Sequence, residues 1–332
     1  MGSVDNINLD KGFVDLPIDP RVNIIEEIHR MCNEKNAVIL AHYYQESEVQ
    51  DIAHFVGDSL DLSRKAANTD ADIIVFAGVH FMAETAKILS PEKKVLIPDL
   101  MAGCSLADSC PPAEFAKFKK KYPGHTVVSY VNTTAEIKAL TDIVCTSSNA
   151  FEIINSLPEN EKIIFAPDRN LGNYIKSKTG RDMIIWDGAC HVHEEFSLER
   201  ILELKEENKE AKIIAHPECE KPIRIVADHI GSTSSLLNFT REDQANSFIV
   251  ATESGILHQM KLASPNKVFI PAPPKDSTCA CNDCKFMKLI GLRKIYNTLK
   301  YELPEISMDE ELRRKAEVSI RRMLEISDKL GL

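Results

Sequence analysis

The chain has 332 residues, enough for two or three compact units with substantial cores. Charged residues make up 27% and hydrophobic ones 44%, the ordinary mix of a globular protein in water. The formal net charge of −10 argues against a nucleic-acid partner, which clustered Lys and Arg would bind, and no apolar run reaches the ~20 residues of a membrane span.

The opening stretch MGSVDNINLDKGFVD has neither a basic start nor an apolar core, so it does not read as a secretory signal. Asn6 stands where myristoylation expects Ser or Thr. A cytoplasmic protein is expected, in which nine cysteines serve as metal ligands, catalytic groups or buried apolar residues rather than as structural disulfides.

Nine buried strands are expected: AVILAHYY (37–44), IIVFAGV (73–79), KVLIPD (94–99), TVVSYV (126–131), IIFAP (163–167), DMIIWD (182–187), KIIAHP (212–217), SFIVAT (247–252) and KVFIPA (267–272). Continuous apolar runs without alternation suit parallel strands covered on both faces. Helical stretches such as TAEIKALTD and SGILHQMKLA lie between them, which makes the chain α/β. The basic run FKKKY (118–122) reads as a solvated helix end.

The strands also repeat in order. One strand ends in AHYYQ, SYVNTTAE and AHPECEKP, anchored at His42, Tyr130 and His216, which stand 88 and 86 residues apart. Hydroxyl-rich stretches follow, with Ser59, Ser147 and Thr233 at the same spacings. Then come FAGVHFMAE, FAPDRNLG and VATESGILH, and each repeat closes on a strand and a cysteine loop. The expected fold is three homologous three-layer αβα units, Rossmann-like with parallel sheets, about a pseudo-threefold axis: 1–112, 113–197 and 198–284, with the helices of 285–332 packing on the first. The markers fall beyond the carboxyl ends of the strands, where ligands bind in such sheets.

Cys104 and Cys190 close the first two units 86 residues apart, and the third closes on Cys279, Cys281 or Cys284, of which Cys284 fits the register best. Cys281 and Cys284 have no second CxxC pair to complete a zinc knuckle. Three thiolates, one from each repeat, make a site with one open position, suited to an iron–sulfur cluster or to zinc. Cys32 reads as a buried helix thiol and Cys145 as a strand-end core residue. Cys110 and Cys219 lie in marker loops, and Cys279 and Cys281 could exchange disulfides with each other or with Cys284. The tail SMDEELRRKAEVSIRRMLEI reads as a helix with a Ser307–Glu310 capping box and a face of Leu312, Ala316, Ile320, Met323 and Leu324.

ILAHYYQ, VGDSLDLSRKA, GVHFMAETAKIL, YVNTTAE, CTSSNA, PDRNLG, CHVH, HPEC, GSTSS, ATESGILH and CKFMK follow one another in this order. Together they resemble the quinolinate synthase family over nearly the whole chain. The resemblance implies an enzyme of de novo NAD biosynthesis that condenses iminoaspartate with dihydroxyacetone phosphate to quinolinate, phosphate and water. It implies a 4Fe-4S cluster held by Cys104, Cys190 and Cys284, with one iron open to act as a Lewis acid. The enzyme that supplies the iminoaspartate is the implied protein partner.

Substrates with carboxylates and a phosphate call for neutral donors. Ser59, Ser147 and Thr233, with Ser232 beside the last, fill that role by recurring in register; singly, each would read as a helix N-cap. Tyr130 and Asn132 reach the same anions, and the resemblance adds His42 and Ser59 to the dicarboxylate site. His216 and Glu218 lie at the matching rim of the third unit. The resemblance makes Tyr44 and Glu218 the leading acid/base pair, positioned by Thr233, with His42 and His193 next.

Blander readings stand beside these. His193 could simply orient the Cys190 loop, Glu84 could be a helix-face acid, and Asp168 with Arg169 an ion pair fixing a loop. His29, His54, His125 and His258 read as ordinary histidines. The rival functions are a zinc-dependent aldolase or lyase using the same cysteines, and a small-anion binding protein; electron transfer would call for four cysteine ligands.

Overall fold

The computed structural model describes residues 7–276 and 282–332, so Cys279 and Cys281, with the disulfide exchange expected of them, lie outside the described residues. The chain divides into two compact units, one running to Cys104 and including Lys285–Arg314, the other comprising Ser105–Cys284 and Lys315–Leu332.

The first unit is built on β1 (Ala37–His42), β2 (Phe55–Gly57), β3 (Ile73–Ala77) and β4 (Lys94–Leu96), all parallel in the order β2-β1-β3-β4. Every residue of β1 and β3 is buried, as continuous apolar runs demand when helices cover both faces. The helix Ser59–Asn68 starts where the Asp58 carboxylate accepts the N–H groups of Leu60 and Asp61, at 3.0 and 3.1 Å.

The second unit holds two further sheets. β5 (Thr126–Tyr130), β6 (Ile143–Cys145), β7 (Ile163–Ala166) and β8 (Met183–Ile185) are ordered β6-β5-β7-β8. β9 (Lys212–Ala215), β10 (His229–Ile230), β11 (Ser247–Ala251) and β12 (Val268–Pro271) are ordered β10-β9-β11-β12. All pairings are parallel. The architecture is α/β with three parallel four-stranded sheets of one topology, each with its first and third strands at the centre.

The register makes the repeat exact at the backbone. Ala41 pairs with Ala77, Ser129 with Ala166 and Ala215 with Ala251. The nine expected strands are all present, each one to three residues shorter at its end; β2, β6 and β10 are additional.

The last helix, Glu310–Leu330, buries Ala316, Ile320 and Met323 as its periodicity requires. Its first turn is capped by Asp309, whose carboxylate accepts the Leu312 N–H at 3.0 Å, rather than by Ser307. In the second unit, Ser319 donates to the Lys138 carbonyl and Asn149 to the Ser327 hydroxyl, both at 2.9 Å. Among the described residues no helix is long and apolar enough to cross a membrane.

Candidate active site and cluster ligands

The ends of β5 and β9 bring the second unit's polar residues together. Glu218, 3% exposed, accepts a hydrogen bond from the Tyr130 hydroxyl at 2.6 Å. Its other oxygen lies 3.2 Å from His193 Nδ1, and His216 Nδ1 is 3.5 Å from the first. The His193 and His216 rings stack at 4.8 Å between centroids. Burial pushes the Glu218 carboxyl up, but the charges of His193 and His216, with the His193 and Tyr130 hydrogen bonds, together outweigh it and hold the group well down, at about 2.

His193 links this carboxylate to a thiol. Its Nδ1 is 3.3 Å from Cys190 Sγ, and its Nε2 lies 3.0 Å from the Thr252 hydroxyl. The donor atoms of Cys190, His193 and Glu218 all lie within 4.8 Å of one another, close enough to share one cation. His193 Nδ1 thus faces both the Cys190 thiol and the Glu218 carboxylate.

The backbone sets the tautomer of His42. Tyr44 N–H donates to its Nδ1 at 3.2 Å, so the neutral ring carries its proton on Nε2, as a donor. Glu218 N–H lies 3.4 Å from His216 Nδ1, which also faces the Glu218 carboxylate, and His216 Nε2 lies 3.2 Å from the Ser147 hydroxyl. In the first unit His42 is buried, and its ring meets that of half-buried Tyr44 edge-on at 4.5 Å.

None of the three recurring hydroxyls serves as a helix cap. Asp58, Asn149 and Ser232 hold the N-cap positions beside Ser59, Ser147 and Thr233. Ser232 accepts the Ser235 N–H at 3.3 Å. The buried Oδ1 of Asn132 has no partner among the described residues. Such an orphaned acceptor suits a residue whose partner is a ligand.

The expected Asp168–Arg169 ion pair is corrected. Arg169 pairs with Asp187 at 3.3 Å and with Glu194, whereas Asp168 is a fully buried helix cap accepting the Leu171 N–H at 2.7 Å. Helix capping needs the carboxylate turned inward to the first-turn N–H groups, away from its neighbour's guanidinium. Burial first, and then the Glu218 charge, push the Asp168 carboxyl up, in the opposite direction to Glu218.

Seven cysteines are described, none of them in a disulfide, and they fall into two classes. Cys32, Cys110, Cys145 and Cys219 are buried, and burial pushes their thiols up, Cys32 to about 11 and Cys110 to about 12. Cys104, Cys190 and Cys284, the three in repeat register, are only partly buried. Neighbours of these three are joined within the second unit. Asn282 Nδ2 donates to the Val192 carbonyl at 3.0 Å, and the Ser105 hydroxyl lies 2.6 Å from His191 Nδ1. Accessible thiols on braced loops fit a soft metal centre such as an iron–sulfur cluster.

Thr252, Glu253, Ser105 and His191 had not been singled out from sequence. Thr252 and Glu253 sit inside VATESGILH, the third recurring stretch, so their register with Pro167 and Asp168 was the available signal.

The family model described as "Quinolinate synthetase A protein" matches residues 26–325. A curated protein of Synechococcus sp. named quinolinate synthase is 58% identical over 318 residues, covering 96% of this chain and 98% of that one. Its counterpart in Microcystis aeruginosa is 58% identical over 305 residues (92% and 95% covered), and that in Synechocystis sp. is 59% identical over 305 residues (92% and 96%).

Proposed function

Because the chain belongs to the quinolinate synthase family, we propose that it condenses iminoaspartate with dihydroxyacetone phosphate to give quinolinate, phosphate and water. The observation that carries the chemistry is the buried Glu218 cluster, where a carboxylate meets a phenol and two imidazoles. Forming carbon–carbon and carbon–nitrogen bonds and losing water all require proton transfers, and groups of this kind make them near neutral pH. Glu218 and Tyr44 are the proposed acid/base pair, Thr233 positions them, and His42 and His193 assist. His42, Ser59, Tyr130, Asn132, Ser147, His216, Ser232 and Thr233 bind the substrate anions. The Nε2–H donor of His42 supports this, because it offers a hydrogen bond without fixed charge.

Cys104, Cys190 and Cys284 are the proposed ligands of a 4Fe-4S cluster, supported by their shared partial exposure among otherwise buried thiols. When bound, the cluster supplies a Lewis-acid iron that polarises a substrate hydroxyl or carbonyl. The reaction is placed in the cytoplasm, with the enzyme that makes the imine as its source.

One observation favours a second reading: Cys190, His193 and Glu218 offer a divalent ion such as zinc a mixed donor set. Iron, sulfide and zinc analysis of oxygen-free protein separates the two. Cys104→Ser, Cys190→Ser and Cys284→Ser are each expected to abolish cluster assembly and activity. Full cluster content in Cys284→Ser would pass the third ligand to Cys279 or Cys281. Tyr44→Phe is expected to keep the cluster and lose most turnover; near-normal turnover removes Tyr44 from the chemistry.

A further inference from the structure

The first strand of each sheet is followed by a short helix, and the three helices begin at matching positions of the repeat: Ser47–Asp51, Ala135–Ala139 and Lys221–Val226. Their fourth residues are Gln50, Lys138 and Arg224, at spacings of 88 and 86, and all three are buried. Gln50 Nε2 donates to the carbonyls of Tyr43, at 3.0 Å, and Gln45, at 2.8 Å. Lys138 Nζ donates to the carbonyls of Val131, at 2.9 Å, and Thr133. Val131 and Thr133 stand 88 residues after Tyr43 and Gln45, so the two side chains hold the same two peptide groups of the repeat. The residue they bracket is Tyr44 in one case and Asn132 in the other. In the third repeat Glu218 takes that place and is held instead through its side chain, by Tyr130. There Arg224 lies over the Tyr174 ring at 5.4 Å, and its Nε has no partner among the described residues.

We propose that Gln50 and Lys138 are paired positioning residues, one clamp used in two repeats, which fix the peptide groups on either side of Tyr44 and Asn132 and so hold those two residues in place for substrate. The use assigned to the clamp rests on the functional reading above, in which Tyr44 moves protons and Asn132 binds an anion; the clamp itself does not. Residues 43–46 and 131–134 lie between strand and helix. Neither kind of ladder fixes their direction, whereas a side chain tied to two carbonyls two residues apart does. Both donors are sealed from water, Gln50 at 3% exposed and Lys138 at 0%. A buried ammonium is costly unless carbonyls take up its protons, and a bond from a charged donor is stronger than one from a neutral amide. With its neighbours pinned, the middle residue has little backbone freedom left to lose when substrate arrives.

The test removes each clamp and then exchanges the two. Gln50→Leu and Lys138→Met keep much of the side-chain volume without the donors, while Gln50→Lys and Lys138→Gln carry each repeat's donor into the other. Hydrogen exchange in the full-length protein is followed by peptide mass at residues 42–46 and 130–134. Gln50→Leu is expected to speed exchange in the first segment about tenfold or more with the second unmoved, and Lys138→Met the reverse. The exchanged donors are expected to keep protection within about threefold of the parent's. Equal loosening of both segments, or no change at either, overturns the clamp. Should Lys138→Met not fold, Lys138→Gln decides: a folded protein with that protection supports the clamp, and greater loosening overturns it. In quinolinate formation, Gln50→Leu is expected to lower kcat about tenfold at a KM near the parent's, and Lys138→Met to raise KM for iminoaspartate about tenfold at a kcat near the parent's. Parent-like kinetics, or the same loss in both variants, overturns the positioning role. A parent chain that forms no quinolinate counts against the functional reading alone, since hydrogen exchange still decides the clamp.

Discussion

Tyr130 donates to Glu218 at 2.6 Å, in a place from which water is excluded. Removing a donor from a buried charged acceptor costs about 1.5–3 kcal/mol, or roughly ten- to a hundredfold in whichever state uses it. Tyr130→Phe is therefore expected to reduce turnover by that factor while cluster content stays at the parent level; parent-like kinetics would show that the phenol serves packing alone. Gly188 is a second point of leverage. A Cβ there would stand 2.6 Å from the Pro167 carbonyl oxygen, so the Cys190 loop must shift to admit it. Gly180 provides the control: it has φ +70° but open space around the missing Cβ, so alanine there costs only backbone strain of about 1 kcal/mol. Gly188→Ala is expected to lower bound iron and sulfide several-fold, Gly180→Ala to leave them unchanged, and equal retention in both would contradict the brace. These residues also show where sequence reasoning stops. Cys190, Glu218 and Tyr130 declared themselves by type and register, whereas the role of Asp168 turned on which way a carboxylate faces, which spacing does not encode.

The elements missed from sequence are the same element three times. β2, β6 and β10 are three, three and two residues long, too short for periodicity to register against a loop. Each is launched by one clamp, repeated at 88- and 86-residue spacing. His54 Nδ1 accepts the Ile39 N–H at 3.1 Å, while Asp142 accepts that of Val127 and Asp228 that of Ile213, both at 2.8 Å. In return the N–H groups of His54, Asp142 and Asp228 donate to the same three strand residues. An imidazole that accepts through Nδ1 must stay neutral, and partial burial, with His29 nearby, lowers the His54 pKa from 6.5. The folded state then binds fewer protons than the unfolded one, so the stability of this clamp is present above pH 6.5 and is lost as pH falls through the window below it. His54→Asp copies the other two repeats, and its carboxylate remains ionised down to about pH 4. The variant is expected to melt with the parent at pH 8 and about 1–2 °C above it at pH 5.5, followed by thermal denaturation. Melting curves that separate at pH 8, or stay together at pH 5.5, would deny the clamp its role.

At the scale of the molecule, one strand order recurs in three sheets, and that recurrence is what made the fold legible: long central strands betray themselves by composition, and their order by repetition. It also sorts the cysteines, since a repeat sets apart the residues it preserves in position from those that fill a core. Cys110, Cys145 and Cys219 are each 0% exposed and Cys32 2%, and burial suppresses the reactive thiolate of each. Cys104, Cys190 and Cys284 stand in register and remain partly open. Brief alkylation of metal-free, reduced protein, mapped by peptide mass, is expected to label these three at least about tenfold faster than the four buried ones, a ratio that follows from the thiolate fraction and access together. Reconstitution with iron and sulfide should then protect all three at once, because a shared cofactor takes its ligands as a set. Protection of Cys190 alone, with zinc in the metal analysis, would instead favour the Cys190–His193–Glu218 site. Persistent labelling of Cys104 while the other two are protected would leave the first unit without its ligand and end the three-cysteine assignment.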